Sequence, residues 1–121
     1  MKAMVALLLL AAAGGAHALD CANAVTTAEL NECAAQEQQR AEGKLNEYYQ
    51  GVVARLQDAA TRQALIDAQA LWVQYREQDC KAVAQQYQGG SLSPVIYTGC
   101  MSRHTETRLR HLQNFYQPEQ Q

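Results

Sequence analysis

The sequence predicts an all-α fold: a small antiparallel three-helix bundle, built from a long helical hairpin and a third helix and held by two disulfides. Apolar residues recur every three or four positions along most of the chain, and no alternating strand pattern competes with them. Turn-forming and capping residues interrupt this pattern near 58–61 and at 89–94, which divides it into three helices. Four cysteines follow an export signal, and an even number of cysteines in an exported chain is typical of disulfides.

The N-terminal segment has the pattern of a secretory signal peptide. A lysine precedes an apolar run over residues 3–13, and an Ala-His-Ala sequence ends at Ala18, where we expect cleavage. We therefore assign residues 1–18 to the signal peptide and residues 19–121 to a single domain. The apolar run is too short to span a bilayer, so the sequence predicts a periplasmic or secreted protein that does not cross the membrane. The residues just before Cys21 lack the small side chain that lipid attachment requires.

The exported part of the chain is small and mildly acidic. Without the signal-peptide lysine, nine Lys and Arg stand against twelve Asp and Glu, a net charge of about −3. Nothing in this balance indicates nucleic acid as a partner. A domain of about 100 residues buries only a modest core, so cross-links should contribute usefully to its stability.

The first predicted helix covers residues 28–57. Thr26 and Glu29 form a capping box, in which the hydroxyl accepts from an early backbone N–H and the carboxylate reaches back to the cap. The apolar stripe of this helix consists of Leu30, Ala34, Ala41, Leu45, Tyr48, Val52 and Leu56. Residues 58–61 then supply capping residues for the next helix.

The second predicted helix extends to about Gln88 and stops at Gly89 and Gly90. One stripe along it consists of Leu65, Gln69, Trp72, Arg76, Cys80, Val83 and Tyr87. An amide and a guanidinium therefore share the face that should pack against a core. Each of these polar groups costs free energy there unless it has a partner.

The third predicted helix covers residues 95–115, and Pro94 suits its first turn. Its inward stripe consists of Met101, Thr105, Arg108, Leu112 and Phe115. A positive charge again occupies an inward position, so this helix also needs a polar partner within the bundle.

Facing positions in an antiparallel bundle can be estimated by reflecting the numbering about each turn. Across the Gly-Gly turn, Cys80 falls opposite Cys100, which leaves Cys21 and Cys33 as the second pair. Because Cys33, Cys80 and Cys100 lie at the same end of the bundle, other pairings stay open.

The same reflection predicts internal partners for the polar residues. Trp72 falls opposite Arg108, and across the first turn Arg76 comes near Glu42 and Trp72 near Asn46. We therefore expect Glu42 to neutralise Arg76, and Arg108 to lie over the face of the indole ring.

His104 and His111 raise the alternative of a metal site, with Glu106 or Cys100 as a further ligand. Their separation of seven residues is a poor chelating spacing, because ligand pairs on a helix prefer about three or four. Solvated histidines are the favoured interpretation, and no metal or other cofactor is expected. Reflecting the numbering about the Gly-Gly turn, as above, places His104 opposite Arg76.

No catalytic constellation is apparent, so we expect a protein that is not an enzyme. A nucleophilic Cys–His pair needs a free thiolate, which a cystine does not provide. Ser91 and Ser93 lie in the loop and not in a nucleophile elbow.

Charged and aromatic side chains offer candidate binding surfaces. The acids of helix one are Glu29, Glu32, Glu37, Glu42 and Glu47. A solubilising face is the favoured interpretation of these acids, and a surface for a cationic partner is the alternative. Any exposed tyrosine would be a reasonable binding anchor, and the candidates are Tyr48, Tyr49, Tyr75 and Tyr87.

A longer set of residues matches the pattern of a known family. The set consists of Leu45, Asn46, Tyr48 or Tyr49, Gln69, Trp72, Tyr75, Arg76, Cys80, Gly89, Gly90, Ser91, Cys100, Thr105, Arg108 and Leu112. With these residues the chain resembles the LprI-like lysozyme-inhibitor family, whose N-terminal-type domain is otherwise a domain of unknown function in bacterial envelope proteins. The Gln-x-x-Trp-x-x-Tyr-Arg-x-x-x-Cys run is specific, and the resemblance covers nearly the whole exported chain.

The resemblance implies a small helical, disulfide-bearing protein that a bacterium exports to its envelope. The matching Gln, Trp, Arg and Cys positions coincide with the predicted inward stripes, so we interpret the residues of the matching motif as fold determinants. They are Asn46, Gln69, Trp72, Tyr75, Arg76, Thr105 and Arg108.

The family name suggests a protein that binds a cationic lysozyme and blocks the cleft in which paired carboxylates act. The loop that we expect to insert consists of Gly89, Gly90, Ser91, Leu92 and Ser93. The alternative is a non-enzymatic envelope module for protein interaction or stress tolerance that does not touch lysozyme. An enzyme ranks below both hypotheses.

Overall fold

The computed structural model describes residues 18–116, and these fold into three α-helices with no strand among them. The helices are α1 (Thr27–Arg55), α2 (Ala59–Gln85) and α3 (Ser93–Phe115). The all-α bundle expected from the sequence is thereby confirmed. The predicted signal peptide lies outside the described residues except for its last position. Within the described part of the chain, no helix is both long enough and apolar enough to cross a membrane.

The first helix begins where its capping box predicts. The Thr26 hydroxyl accepts a hydrogen bond from the Glu29 backbone N–H at 3.2 Å, and the Glu29 carboxylate accepts from the Thr26 N–H at 2.9 Å. The connection to α2 is short because Leu56 leaves the helix in an extended conformation and Asp58 caps the next one. The Asp58 carboxylate accepts from the Thr61 N–H at 2.6 Å. Three helix-terminal donors thus find acceptors within a few residues.

The second helix ends three residues earlier than predicted, at Gln85. Beyond it the backbone tightens into successive turns, in which the Tyr87 N–H donates to the Ala84 carbonyl and the Gln88 N–H to the Gln85 carbonyl. These turns satisfy carbonyls that an ending helix leaves open. Tyr87 therefore does not extend the inward stripe, and its side chain is exposed.

The third helix packs along both other helices, most extensively against α1. Helices α1 and α2 touch each other only sparingly, although they are joined by a connection of three residues. The bundle is therefore organised around α3, and the α1–α2 hairpin depends on α3 to hold its two arms together.

An apolar cluster fills the half of the bundle next to the α1–α2 connection. Its fully buried members are Leu45, Val52, Leu65 and Leu112. Tyr48, Tyr49, Leu56, Trp72, Leu109 and Tyr116 pack against them. Phe115 was expected to complete this stripe but is 74% exposed, because it stacks on the His111 ring at the open end of α3.

Two disulfides stabilise the other half of the bundle, and both are the pairings favoured from the sequence. Cys80 and Cys100 join α2 to α3, and Cys21 and Cys33 join the N-terminal arm to α1. Cys80 and Cys100 are 20 residues apart in the sequence, and Cys21 and Cys33 are 12 residues apart. Such cross-links destabilise the unfolded chain, which compensates for the small apolar core.

The capping box makes the stability of α1 depend on pH. Hydrogen bonds from the backbone of Thr26 and Val25 lower the pKa of Glu29 below its usual value. A lowered pKa in the folded state contributes stability above the pKa of the unfolded chain, and this contribution is lost as the pH falls through the folded-state value.

We therefore expect Glu29→Gln to lower the thermal unfolding midpoint at neutral pH, with the gap to the wild type closing in acid. Thermal unfolding followed by circular dichroism across this pH range measures the gap. Glu32→Gln, at an exposed position of the same helix, is the control and should leave the midpoint unchanged. A gap that stays constant down to strongly acidic pH would contradict the assignment.

Candidate functional site

Polar side chains from all three helices meet at the middle of the bundle in a polar seam, formed by Glu42, Gln69, Trp72, Arg76, Thr105 and Arg108. At its centre lies Arg76, which is only 6% exposed. Its guanidinium donates to the Glu42 carboxylate at 2.5 Å and to the Thr105 hydroxyl at 2.7 Å. The Thr105 hydroxyl in turn donates to the Met101 carbonyl at 2.7 Å. One buried cation therefore bonds α2 to both α1 and α3.

The indole ring of Trp72 lies between two guanidinium groups. The Arg76 guanidinium carbon is 4.7 Å from the ring centroid and that of Arg108 is 5.9 Å away. The Arg108 Nε–H donates to the Gln69 side-chain oxygen at 2.9 Å. Burial lowers the pKa of Arg108, because the charged form loses solvation there. The ring face and the amide replace part of that lost solvation.

Two predicted contacts of the seam are present, namely the Glu42–Arg76 ion pair and the position of Arg108 over the Trp72 ring. The reflected numbering was wrong by one residue on α3. It placed His104 opposite Arg76, whereas the Arg76 guanidinium donates to Thr105. One residue is about 100° of rotation on a helix, enough to exchange one neighbour for the next.

Three residues predicted near the seam lie outside it. His104 instead places its Nε2 2.7 Å from the Asp79 carboxylate, and its ring meets the Tyr75 ring edge to face. Tyr75 is 60% exposed, and Asn46 also faces solvent. Asn46 was expected near Trp72, but its side chain is exposed, and the exposure of Tyr75 makes it a candidate contact residue and not a core residue. The Asp79–His104 pair was missed, although reflection places these two residues within about one helical turn of each other.

The seam has little capacity to bind a ligand. Most of its polar groups bond to one another, and Arg76 and Thr105 are buried. Among the described residues, the Arg76 Nε and one terminal nitrogen of Arg108, Nη2, are buried without a hydrogen-bond partner. Its arrangement is that of a structural network that fixes how three helices meet. The sequence-based interpretation of these positions as fold determinants remains a prediction. The double-mutant cycle of Glu42 and Arg76 later in this section tests it.

One cluster resembles a metal site in composition. The sulfur atoms of Cys80 and Cys100 and a ring nitrogen of His104 lie within 4.8 Å of one another. Both sulfurs belong to the disulfide, however, and a cystine offers no thiolate to a metal ion. His111 is elsewhere on α3, stacked on Phe115.

The loop between α2 and α3 is exposed and compact. Gly89 adopts a positive φ of 83°, a conformation that side chains disfavour. The Gly90 N–H donates to the Tyr87 carbonyl, and the Ser93 hydroxyl donates to the Ala84 carbonyl at the base of the loop. Gly89, Gly90, Ser91 and Leu92 are all exposed, whereas Ser93 is half-buried. The Cys80–Cys100 bridge lies below these turns and joins the two helices that carry them.

The end of the bundle that carries this loop has an uneven charge distribution. We call this end, residues 20–39 and 82–102, the loop end. Alternating helix directions bring its two segments to the same side of the molecule. Four acids and no Lys or Arg occur in residues 20–39, and no charged residue occurs in residues 82–102. The loop itself is therefore uncharged, and the charged side chains within these ranges are negative. Arg40, Lys81 and Arg103 border the loop end, and Lys81 lines the same surface depression as Ser93.

We expect the Glu42–Arg76 ion pair to show strong coupling in a double-mutant cycle of Glu42→Gln and Arg76→Met. Each single change leaves a desolvated charge with fewer partners, so each should reduce the free energy of unfolding by about 2–4 kcal/mol. The coupling energy should be about 1–3 kcal/mol. Denaturant unfolding followed by Trp72 fluorescence measures all four proteins.

A matched control uses the exposed pair Glu77–Lys81, whose charged atoms are 2.7 Å apart within α2. Glu77→Gln with Lys81→Met should give a coupling energy below about 0.5 kcal/mol. Additive losses at Glu42 and Arg76 would show that the two side chains do not act as a direct pair.

Comparison with known proteins gives these features a context. The family model described as "Lysozyme inhibitor LprI" matches residues 20–112, which include the seam, both disulfides and the loop. An uncharacterized protein of Rhizobium meliloti (strain 1021) is 35% identical over 105 residues, which cover 77% of this chain and 76% of the relative.

A solved structure shares the fold. The crystal structure of a DUF1311 family protein from Pseudomonas putida KT2440 superposes with a TM-score of 0.69 at 23% sequence identity. The alignment covers 75% of this chain and 94% of that chain. The family match extends over most of the chain and over every element of the bundle, and on this basis the protein belongs to the LprI lysozyme-inhibitor family.

Proposed function

We propose that this protein is an exported inhibitor that binds a cationic lysozyme and obstructs its catalytic cleft with the loop end. Membership of the LprI lysozyme-inhibitor family is the observation that carries the proposal. The family is one of inhibitors and not of catalysts, and the loop end offers an exposed, uncharged loop. Export is part of the proposal, and two disulfides suit an oxidising compartment outside the cytoplasm.

The charge distribution of the loop end supports binding to a cationic enzyme. Glu32 and Glu37 are exposed on the first half of α1, with no Lys or Arg between residues 20 and 39. Like-signed acids at one end of a small protein create a local potential that steers a positively charged partner toward that end.

The uncharged loop suits the second step of the proposed inhibition. Lysozyme cleaves glycosidic bonds with a pair of carboxyl groups, so an inserted acid would be repelled from the site. The Ser91 hydroxyl offers a neutral hydrogen-bond donor instead. The hydrogen bonds at Gly90 and Ser93 hold the loop in one conformation, which reduces the entropy that binding would cost.

The direct test is an activity assay with the purified mature protein and lysozymes of the c, g and invertebrate types. We expect at least one type to be inhibited in a concentration-dependent manner at micromolar inhibitor. No inhibition of any type at tens of micromolar would overturn the proposal and favour an envelope module that acts on another protein.

The roles of charge and loop can be separated with matched variants. Glu32→Gln with Glu37→Gln should slow association several-fold at low salt, and the difference should shrink as salt screens the charges. Glu47→Gln with Glu106→Gln removes the same charge from exposed positions outside the loop end and should have a smaller effect.

The loop variant is Ser91→Glu, which we expect to weaken inhibition at least tenfold by placing a carboxylate against those of the cleft. Gln50→Glu, exposed on the second half of α1, is its control. Inhibition constants from the same activity assay compare them. Equal inhibition by both variants would exclude the loop from the cleft.

A further inference from the structure

Helix α2 carries an exposed stripe next to its buried face. We call Ala64, Ala68, Leu71, Tyr75, Gln78 and Ala82 the α2 stripe. All six are exposed, and their spacing alternates between four and three residues. Leu71 and Tyr75, its two large members, are 66% and 60% exposed. An apolar stripe that repeats every 3.5 residues on average is the pattern by which one helix packs along another.

Among the residues that the structure describes, no helix packs along the α2 stripe. Among the described residues, α2 packs on α3 through Gln69, Arg76 and Cys80, and its direct contact with α1 is small. The seam and the disulfide therefore occupy the adjacent face of α2 and leave the stripe to solvent.

We infer that the α2 stripe is the interface of a symmetric dimer, in which α2 of one copy packs antiparallel against α2 of a second copy. The stripe places two alanines at equal distances from Tyr75. Tyr75 lies midway between Ala68 and Ala82, which are seven residues away on either side. Antiparallel pairing about Tyr75 brings Ala68 against Ala82 of the second copy, and small side chains at these two crossings let the helix backbones approach closely.

The charges beside the stripe select the antiparallel direction. Asp67 and Lys81 are both exposed and lie eight residues before and six residues after Tyr75, so antiparallel pairing about Tyr75 leaves them about two residues, or ~3 Å along the helix axis, apart. In an antiparallel pair, Asp67 of each copy lies near Lys81 of the other, whereas a parallel pair would place like charges together. Lys81 already contacts Glu77, but an ammonium has three donors and can serve both carboxylates.

The central anchor of the stripe is held in position before binding. The Tyr75 ring meets the His104 ring edge to face at a centroid distance of 5.6 Å. His104 is itself bonded to Asp79 at 2.7 Å. An aromatic side chain that is ordered in the free protein loses less entropy on association, and central aromatic residues commonly contribute most of the binding energy of an interface.

The size of the stripe sets the expected affinity. A single pair of helices of this length buries an area near the lower limit for specific protein interfaces, which is typical of transient association. We therefore expect a reversible dimer with a dissociation constant of tens to hundreds of micromolar.

Sedimentation equilibrium of the mature protein tests the association. The average mass should rise from one chain at low micromolar concentration toward two chains at about 1 mM. Leu71→Glu should raise the dissociation constant at least tenfold. Phe115→Glu changes a residue of similar exposure on α3 and should leave the dissociation constant unchanged. A wild-type mass of one chain throughout this range would overturn the inference.

Charge exchange tests the direction without removing the apolar anchors. Asp67→Lys and Lys81→Asp should each weaken the dimer several-fold, and the double variant should restore it, because it reverses both intermolecular pairs. Failure of the double variant to associate better than either single variant would exclude the antiparallel arrangement.

A cysteine pair tests the register independently. Ala68→Cys and Ala82→Cys should form an intermolecular disulfide when mixed but not when each is oxidised alone. Cross-linking of each variant with itself would demonstrate a parallel pair and overturn the proposal. If Leu71→Glu lowers lysozyme inhibition while the wild type stays monomeric, the stripe binds the enzyme and not a second copy.

Discussion

The Arg76 guanidinium lies where the three helices meet, and each helix supplies one of its neighbours. Glu42 of α1 accepts its charge-assisted hydrogen bond, Thr105 of α3 accepts another, and Trp72 of its own helix covers its face. A buried cation is unfavourable unless all of these groups are present, so the energy minimum requires one relative placement of α1, α2 and α3. This requirement matters because α1 and α2 have little other contact.

Stabilisation is divided along the length of the bundle. Apolar packing around Leu45, Val52 and Leu112 holds the half next to the α1–α2 connection. The polar seam holds the middle, and the two disulfides hold the loop end. The loop end can therefore present an uncharged, exposed turn over small buried side chains such as Ala34 and Ala84, since covalent cross-links supplement burial there.

Features that depend on local spacing were predictable from the sequence, and features that depend on the angle between helices were not. The capping box at Thr26 follows from residues three positions apart, and the Cys80–Cys100 pair follows from the position of one turn. Reflecting the numbering about a turn assumes that facing residues lie at the same height along two antiparallel helices. It therefore paired Arg76 with His104, one residue away from Thr105. Asn46 is exposed for a related reason. The reflected numbering assumes that α1 and α2 pack along each other, but they have little direct contact. The loop was identified from its glycines. Its hydrogen bonds to Tyr87 and Ala84 could not be predicted, because they depend on how the turns fold back on the end of α2.

The proposed enzyme-binding end and the proposed dimer face share only Ala82. The α2 stripe extends from Ala64 to Ala82, whereas the loop lies beyond Gln85. Antiparallel pairing about Tyr75 would direct the two loops toward opposite ends of the assembly, so neither copy would cover the loop of the other. Like-charged loop ends would also be kept apart, which avoids the repulsion that a parallel pair would create. Association would thus double the number of inhibitory ends without requiring any change within the bundle, because the seam and the disulfides fix each loop relative to its own α2.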